Sequence, residues 1–195
     1  TSVGYNISNF KSEVPLNGTP AQTIRDSKFN YSIFISTDYE NKTQLFIAGN
    51  MLHEMVHAYF LTLFDDYYNG NPPNPNAYND FPYLFNYYVK LKKPASISSI
   101  DVHHQQMATS YSDAIARALQ EYQTGTPVPE GTNPAQPYTD LAWGGLIGTP
   151  VFDNLFPVGS SDRKRIENRY AAEQTGRPVG EGTPQAQTQI GQPCN

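Results

Sequence analysis

The chain has 195 residues, with 18 acidic against 13 basic side chains and a formal net charge of −5. That length suits one domain with a real core, and the acidic balance argues against the clustered Lys and Arg that nucleic-acid binding requires. No run of about 18 apolar residues occurs, so no helical membrane span is expected, and the single cysteine, Cys194, excludes an intrachain disulfide and any Cys-rich zinc knuckle.

Hydrophobic residues make up 38% of the chain and charged residues 16%. Pro, Gly, Asn, Thr and Tyr take up the difference, so a globular domain with long polar loops is expected, its core rich in Tyr and Phe. The first ten residues lack the charged-then-apolar pattern of a signal peptide. The compartment stays open, a secreted product or a delivered module of a larger bacterial protein being among the readings.

In chain order, residues 1–26 read as loop, with Asn17-Gly18 and Pro20 as turn signals. Residues 29–36, FNYSIFIS, alternate and are rich in aromatic and β-branched side chains, which predicts a strand. Over 42–64 the pattern becomes helical: Leu45, Ala48, Leu52, Met55, Tyr59 and Leu63 recur at spacings of three and four. Gly49 interrupts it, at a cost of about 1 kcal/mol relative to Ala. A loop carrying Pro72, Pro73 and Pro75 follows from Asp65, and residues 80–92 read as a short aromatic helix.

A further helix is predicted over 100–122, with Met107, Tyr111, Ile115, Ala118 and Leu119 on one stripe. Residues 124–136 are Pro/Gly loop, and 138–146 form a short apolar element around Trp143. The last amphipathic helix starts at Ser160 or Ser161 and stops at Gly176. Its Arg163-Lys164-Arg165 run, beside Asp162 and Glu167, reads as a solvated face. The domain is expected to span 1–179, and 180–195, rich in Gln, Gly, Pro and Thr, to be a flexible tail.

The chemistry concentrates at His53-Glu54-Met55-Val56-His57, an H-E-x-x-H motif inside the first predicted helix. Residues four apart share a helix face, so both imidazoles can reach one metal ion. Glu54 lies about 100° around from His53, beside the position left open for water, where it can serve as general base and then general acid. Zinc would lower the pKa of that water to about 7.

A catalytic zinc needs a third protein ligand. Of the four histidines in the chain, the two outside the motif are adjacent, His103-His104, at the start of the second long helix. His104 shares the stripe of Met107, Tyr111, Ile115 and Leu119 and is the preferred third ligand. His103 is the alternative, or a donor behind the ligands, and Glu121 a further candidate. Tyr111 or the Tyr67-Tyr68 pair could donate to the carbonyl oxyanion, and the loop from Asp65 to Asn79 could wall the cleft.

The stretch LHEMVHAYF, residues 52–60, resembles the active-site helix of SprT-like metallopeptidases, the group that includes Spartan. His104-Gln105-Gln106-Met107-Ala108 is similar to the H-x-x-M-A pattern of small bacterial relatives, and LAWGGL, residues 141–146, also looks family-like. The gap between the motif and His104 is longer than in that family, and its cysteine-bearing zinc ribbon is missing. The resemblance implies an α+β, zincin-like fold, mostly helical with a small sheet beside the active-site helix, and a zinc endopeptidase acting on a protein or peptide substrate. From a different class stands a non-catalytic zinc-containing binding module; the aromatic stretch 81–88, read first as core packing, is its candidate partner surface.

Overall fold

A computed structural model of the chain describes residues 6–13, 18–39, 41–68 and 100–194. Residues 6, 8–13, 63, 64, 66–68 and 100–107 are described by their backbone alone. The expected aromatic helix over 80–92, the partner surface over 81–88 and the Pro-rich loop after residue 68 lie outside the described residues.

The fold is α+β. Three strands, β1 (Asn6–Glu13), β2 (Ala21–Ser27) and β3 (Asn30–Ser36), form one sheet in the order β1-β3-β2. β2 and β3 are an antiparallel hairpin, with Ala21 opposite Ile35 and Thr23 opposite Ile33, and β1 lies parallel to β3 on its other side. Five α-helices follow among the described residues: α1 (Gln44–Tyr68), α2 (Ile100–Thr124), α3 (Gln136–Gly144), α4 (Pro150–Leu155) and α5 (Ser161–Thr175).

β3 is the strand that residues 29–36 predict. β1 and β2 fall in the segment expected as loop. β2 escapes a hydrophobic reading because the side turned to α1 carries Ala21, Thr23 and Arg25, while Ile24 on the other side is exposed. The sheet is held to the helix there by a hydroxyl and a guanidinium, so no apolar alternation marks the strand. The hairpin turns at Lys28-Phe29, and Phe29 takes φ 61°, a region that favours Gly or Asn in such turns.

Helix α1 starts where Thr43 supplies an N-cap, its Oγ1 accepting the Phe46 N–H at 3.2 Å. The same hydroxyl donates to Glu173 Oε2 at 2.6 Å, which ties the start of α1 to α5. α1 then presents three faces. Leu45, Ala48, Leu52 and Val56 pack on Ile115, Ala116 and Leu119 of α2 and Leu141 of α3. Phe46 and Asn50 meet Tyr170 of α5, through ring centroids 5.1 Å apart and a hydrogen bond from the Tyr170 hydroxyl to Asn50 Oδ1 at 3.3 Å. Glu54 and Asp65 face the sheet. Asp65 was expected to open a loop; it is fully buried, within the last turns of α1.

α3 and α5 are joined by Arg165, which forks onto the buried Asp140 with Nε to Oδ2 at 2.8 Å and an Nη2 to Oδ1 bond of 3.0 Å. Arg163 pairs with Asp153 at 2.7 Å and Glu167 at 2.8 Å. Arg163 and Arg165 are therefore tied into ion pairs spanning three helices, while Lys164 between them is exposed. Trp143 is buried in a second cluster with Ala108, Leu146, Phe152 and Ile166. α5 is capped by Ser160 and ends, as expected, at Gly176, whose φ of 64° suits the left-handed cap.

The C-terminal segment, expected as a flexible tail beyond a domain ending at residue 179, is docked instead. Val179 bridges to Gln187, Thr43 to Pro193, and the Cys194 N–H donates to the Lys42 carbonyl at 3.0 Å. Buried Glu173 accepts from the N–H of Ile190 at 2.6 Å and of Gly191 at 3.2 Å. A polar sequence carries no hydrophobic signal for this docking, because it is made by backbone groups meeting buried side chains.

Candidate metal centre

His53 and His57 sit on one face of α1, one turn apart, as the motif spacing predicts. Their Nε2 atoms are 2.9 Å apart and their ring planes are inclined at 62°. Burial holds both imidazoles neutral: the His53 pKa is lowered to about 4, and that of His57 falls well below its ordinary value, first through burial and then through the neighbouring His53. A neutral imidazole keeps a lone pair for a metal. One nitrogen from each ring and one carboxylate oxygen of Glu54 lie within 4.8 Å of one another. Two neutral nitrogens converging on one point, with a carboxylate beside them, is a donor set that fits zinc.

Glu54 is buried, 8% exposed, at the seam between α1 and β2. Its Oε2 accepts from Thr23 Oγ1 at 2.6 Å, and its main-chain carbonyl lies 2.9 Å from the same hydroxyl. Burial raises the Glu54 pKa, and the Thr23 hydrogen bonds oppose that shift. A raised pKa makes the carboxylate a better proton acceptor than an ordinary glutamate.

The turn after α3 closes the site from the other side. A Cβ on Gly145 would come within 3.3 Å of His53 Nδ1, and a Cβ on Gly144 within 2.4 Å of the Tyr170 ring. The two glycines of LAWGGL thus let the end of α3 approach the imidazole and the tyrosine together, which a sequence reading could assign only to a turn under Trp143. Tyr170 was also missed. Its hydroxyl bonds to Asn50, one turn before His53, and its pKa is pushed up to about 12, mainly by burial, with Glu54 among the charges adding to it. No pattern in the sequence marks Tyr170 apart from the other tyrosines.

The remaining expected site residues are distributed as follows. His103 and His104 belong to the first turn of α2, and their side chains lie outside the described residues. α1 and α2 run antiparallel: Gln44 bonds to Gln123 at one end, and the Phe60 and Tyr111 rings meet 5.1 Å apart toward the other. Position 104 precedes Tyr111 by seven residues, and His57 precedes Phe60 by three on the opposite-running helix. At 1.5 Å per residue, position 104 stands roughly 15 Å beyond His57 along the pair. This register does not bring the α2 histidines level with the motif. The stripe that singled out His104 specifies a helix face, and the axial level is set by packing.

Glu121, the further third-ligand candidate, is exposed and its Oε1 accepts the Val128 N–H at 2.9 Å, which closes the loop after α2. Tyr111 packs its ring between Tyr59 and Phe60 in the α1–α2 interface. The side chains of Tyr67 and Tyr68 lie outside the described residues. No protein-family model, no curated protein and no solved structure matches this chain, so the site stands on its own geometry.

Proposed function

We propose that the chain is a zinc-dependent metallopeptidase, SprT-like in its motif, that hydrolyses peptide bonds in a protein or peptide substrate. The observation that carries this reading is the approach of His53 Nε2 and His57 Nε2 to 2.9 Å on an H-E-x-x-H helix, with a Glu54 carboxylate oxygen within 4.8 Å of a nitrogen of each ring. His53 and His57 would hold the ion. When bound, zinc supplies a Lewis acid for the scissile carbonyl and an acidified water at neutral pH.

The chain's own residues supply the rest. One of the two Nε2 atoms carries the proton of their 2.9 Å hydrogen bond, and each neutral imidazole offers a lone pair to the ion once its N–H sits on the nitrogen turned away from it. Glu54, placed beside the two nitrogens, takes a proton from the attacking water and delivers it to the leaving amine. Burial of the carboxylate between α1 and β2 keeps it out of bulk solvent, so its proton transfers are directed to the site.

The sequence puts His104 third in the ligand set, whereas the α1–α2 register argues against it. Zinc content decides this, measured by mass spectrometry on wild type and on His53→Ala, His103→Ala and His104→Ala. The expected result is one zinc per chain in wild type and none in His53→Ala. Retention in both α2 variants would assign the remaining coordination to another group. A wild type that binds no zinc after soaking would overturn the metallopeptidase reading and leave a non-enzymatic binding module. Peptidase activity undiminished in Glu54→Gln would overturn the mechanism while leaving the metal site standing.

A further inference from the structure

Thr23 occupies the middle of β2, opposite Ile33 in the hairpin, with its side chain turned to α1. Its hydroxyl reaches two atoms of one residue: Glu54 Oε2 at 2.6 Å and the Glu54 carbonyl at 2.9 Å. Two residues on, Arg25 makes the corresponding contact from β2 to Asp65. The strand is thus fastened to α1 at two points, and one of them is the carboxylate of the H-E-x-x-H motif. From the 2.6 Å contact we infer that Thr23 is the positioning residue for Glu54, holding the carboxylate on the sheet side of α1 with one oxygen engaged and the other left for the reaction. The inference rests on the metallopeptidase reading for its consequence and on geometry alone for the placement.

Three features support it. A glutamate side chain has three rotatable bonds, and ordering it costs rotamer freedom that a fixed partner offsets. A short hydrogen bond from a hydroxyl to a carboxylate is among the stronger ones a protein makes. Threonine is β-branched and stiff at χ1, and it sits in a paired strand, so the donor itself is fixed in space. Residues that orient a catalytic or ligating group in this way typically change activity by about 10- to 100-fold when removed.

The test compares Thr23→Val with Thr23→Ser. Valine keeps the volume, the β-branch and the strand preference but removes the hydroxyl; serine restores the hydroxyl on a smaller side chain. In Thr23→Val, kcat is expected to fall about 10- to 100-fold, with KM and zinc content held near wild type and the melting temperature lowered only by the loss of one buried hydrogen bond. In Thr23→Ser, kcat is expected to recover to within about threefold of wild type, as hydroxyl retention predicts. Crystal structures of the two variants supply a readout independent of turnover: the Glu54 carboxylate leaves its position beside β2 in the valine variant and keeps it in the serine variant.

A Thr23→Val protein whose Glu54 carboxylate stays in place, or whose kcat equals wild type, overturns the inference. So does a fall in kcat that merely tracks lost zinc or lost melting temperature. Should the wild type prove to have no Glu54-dependent turnover, the metallopeptidase reading fails, and the crystallographic comparison alone decides the placement.

Discussion

Two buried carboxylates on the same face of α1, Glu54 and Asp65, eleven residues and three turns apart, meet the same strand in different company. Asp65 receives the Arg25 guanidinium at 2.8 Å, the Phe29 N–H at 3.0 Å and the Tyr31 hydroxyl at 2.8 Å. Glu54 receives the Thr23 hydroxyl and lies beside two neutral imidazoles. A buried carboxylate with an arginine and two further donors is fully compensated and acts as a fastening. One held mainly by a neutral hydroxyl keeps its charged form less comfortably and remains able to exchange a proton. The same residue chemistry is fully ion-paired at one end of the helix and held by a neutral hydroxyl at the other, because β2 offers a cation in one place and a hydroxyl two residues earlier; the proposed mechanism makes the second of them the reactive one.

The largest expected effects test this division directly. Glu54→Gln should reduce peptidase turnover by about 10²–10⁴-fold while keeping zinc and leaving stability unchanged or slightly raised. Asp65→Ala should instead destabilise the fold by about 3 kcal/mol in denaturant titration, because it removes the buried acceptor that Arg25, the Phe29 N–H and Tyr31 share. Equal destabilisation by the two substitutions would erase the contrast.

Acid titration of the metal-free protein sharpens it. In the unfolded chain both histidines take up protons near pH 6.5, whereas the folded His53 does so at about 4 and His57 well below its ordinary value. The unfolded state therefore binds more protons in this window. Stability should fall as pH drops from about 6.5 toward 4, by ~1.4 kcal/mol per pH unit for each proton. Glu54 works the other way: its raised pKa contributes stability at low pH that is lost as pH rises through the folded value. Thermal melts across this range should show a flatter profile in a His53→Gln, His57→Gln double variant and a steeper acid loss in Glu54→Gln.

The glycine pair at the end of α3 separates site from scaffold on a smaller scale. Gly144→Ala drives a methyl into the Tyr170 ring and should cost about 1–3 kcal/mol of stability. Gly145→Ala meets His53 Nδ1 at 3.3 Å, so its main effect should be weaker zinc binding, by about tenfold, read by competition with a chelator. The smallest change is expected at Gly49, where a Cβ would meet Leu119 and Leu141 only at 3.8 and 3.9 Å. That is ordinary contact, so Gly49→Ala should stabilise α1 by about 1 kcal/mol, and the break in the helical pattern reflects no crowding at that position.

Local pattern determined a good part of this molecule. The motif spacing put His53 and His57 on one face, the apolar periods located α1, α2 and α5, and Ser160 and Gly176 marked the ends of the last helix, because each of these depends on residues within one or two turns. Tertiary structure decided what such signals do not carry. β2 is invisible to alternation because its helix-facing side is fastened through Thr23 and Arg25. The segment 180–194 is held by backbone hydrogen bonds to side chains such as Glu173, which leave no trace in hydropathy. The periodicity of α2 specified which face His104 shares but not how far along α1 it lies, since axial register is set by the packing of rings such as Tyr111 on Phe60. Thr23 and Gly145 reach the motif from elements 31 and 92 residues away in sequence, and Tyr170 reaches Asn50 one turn before it; only the folded chain brings them there.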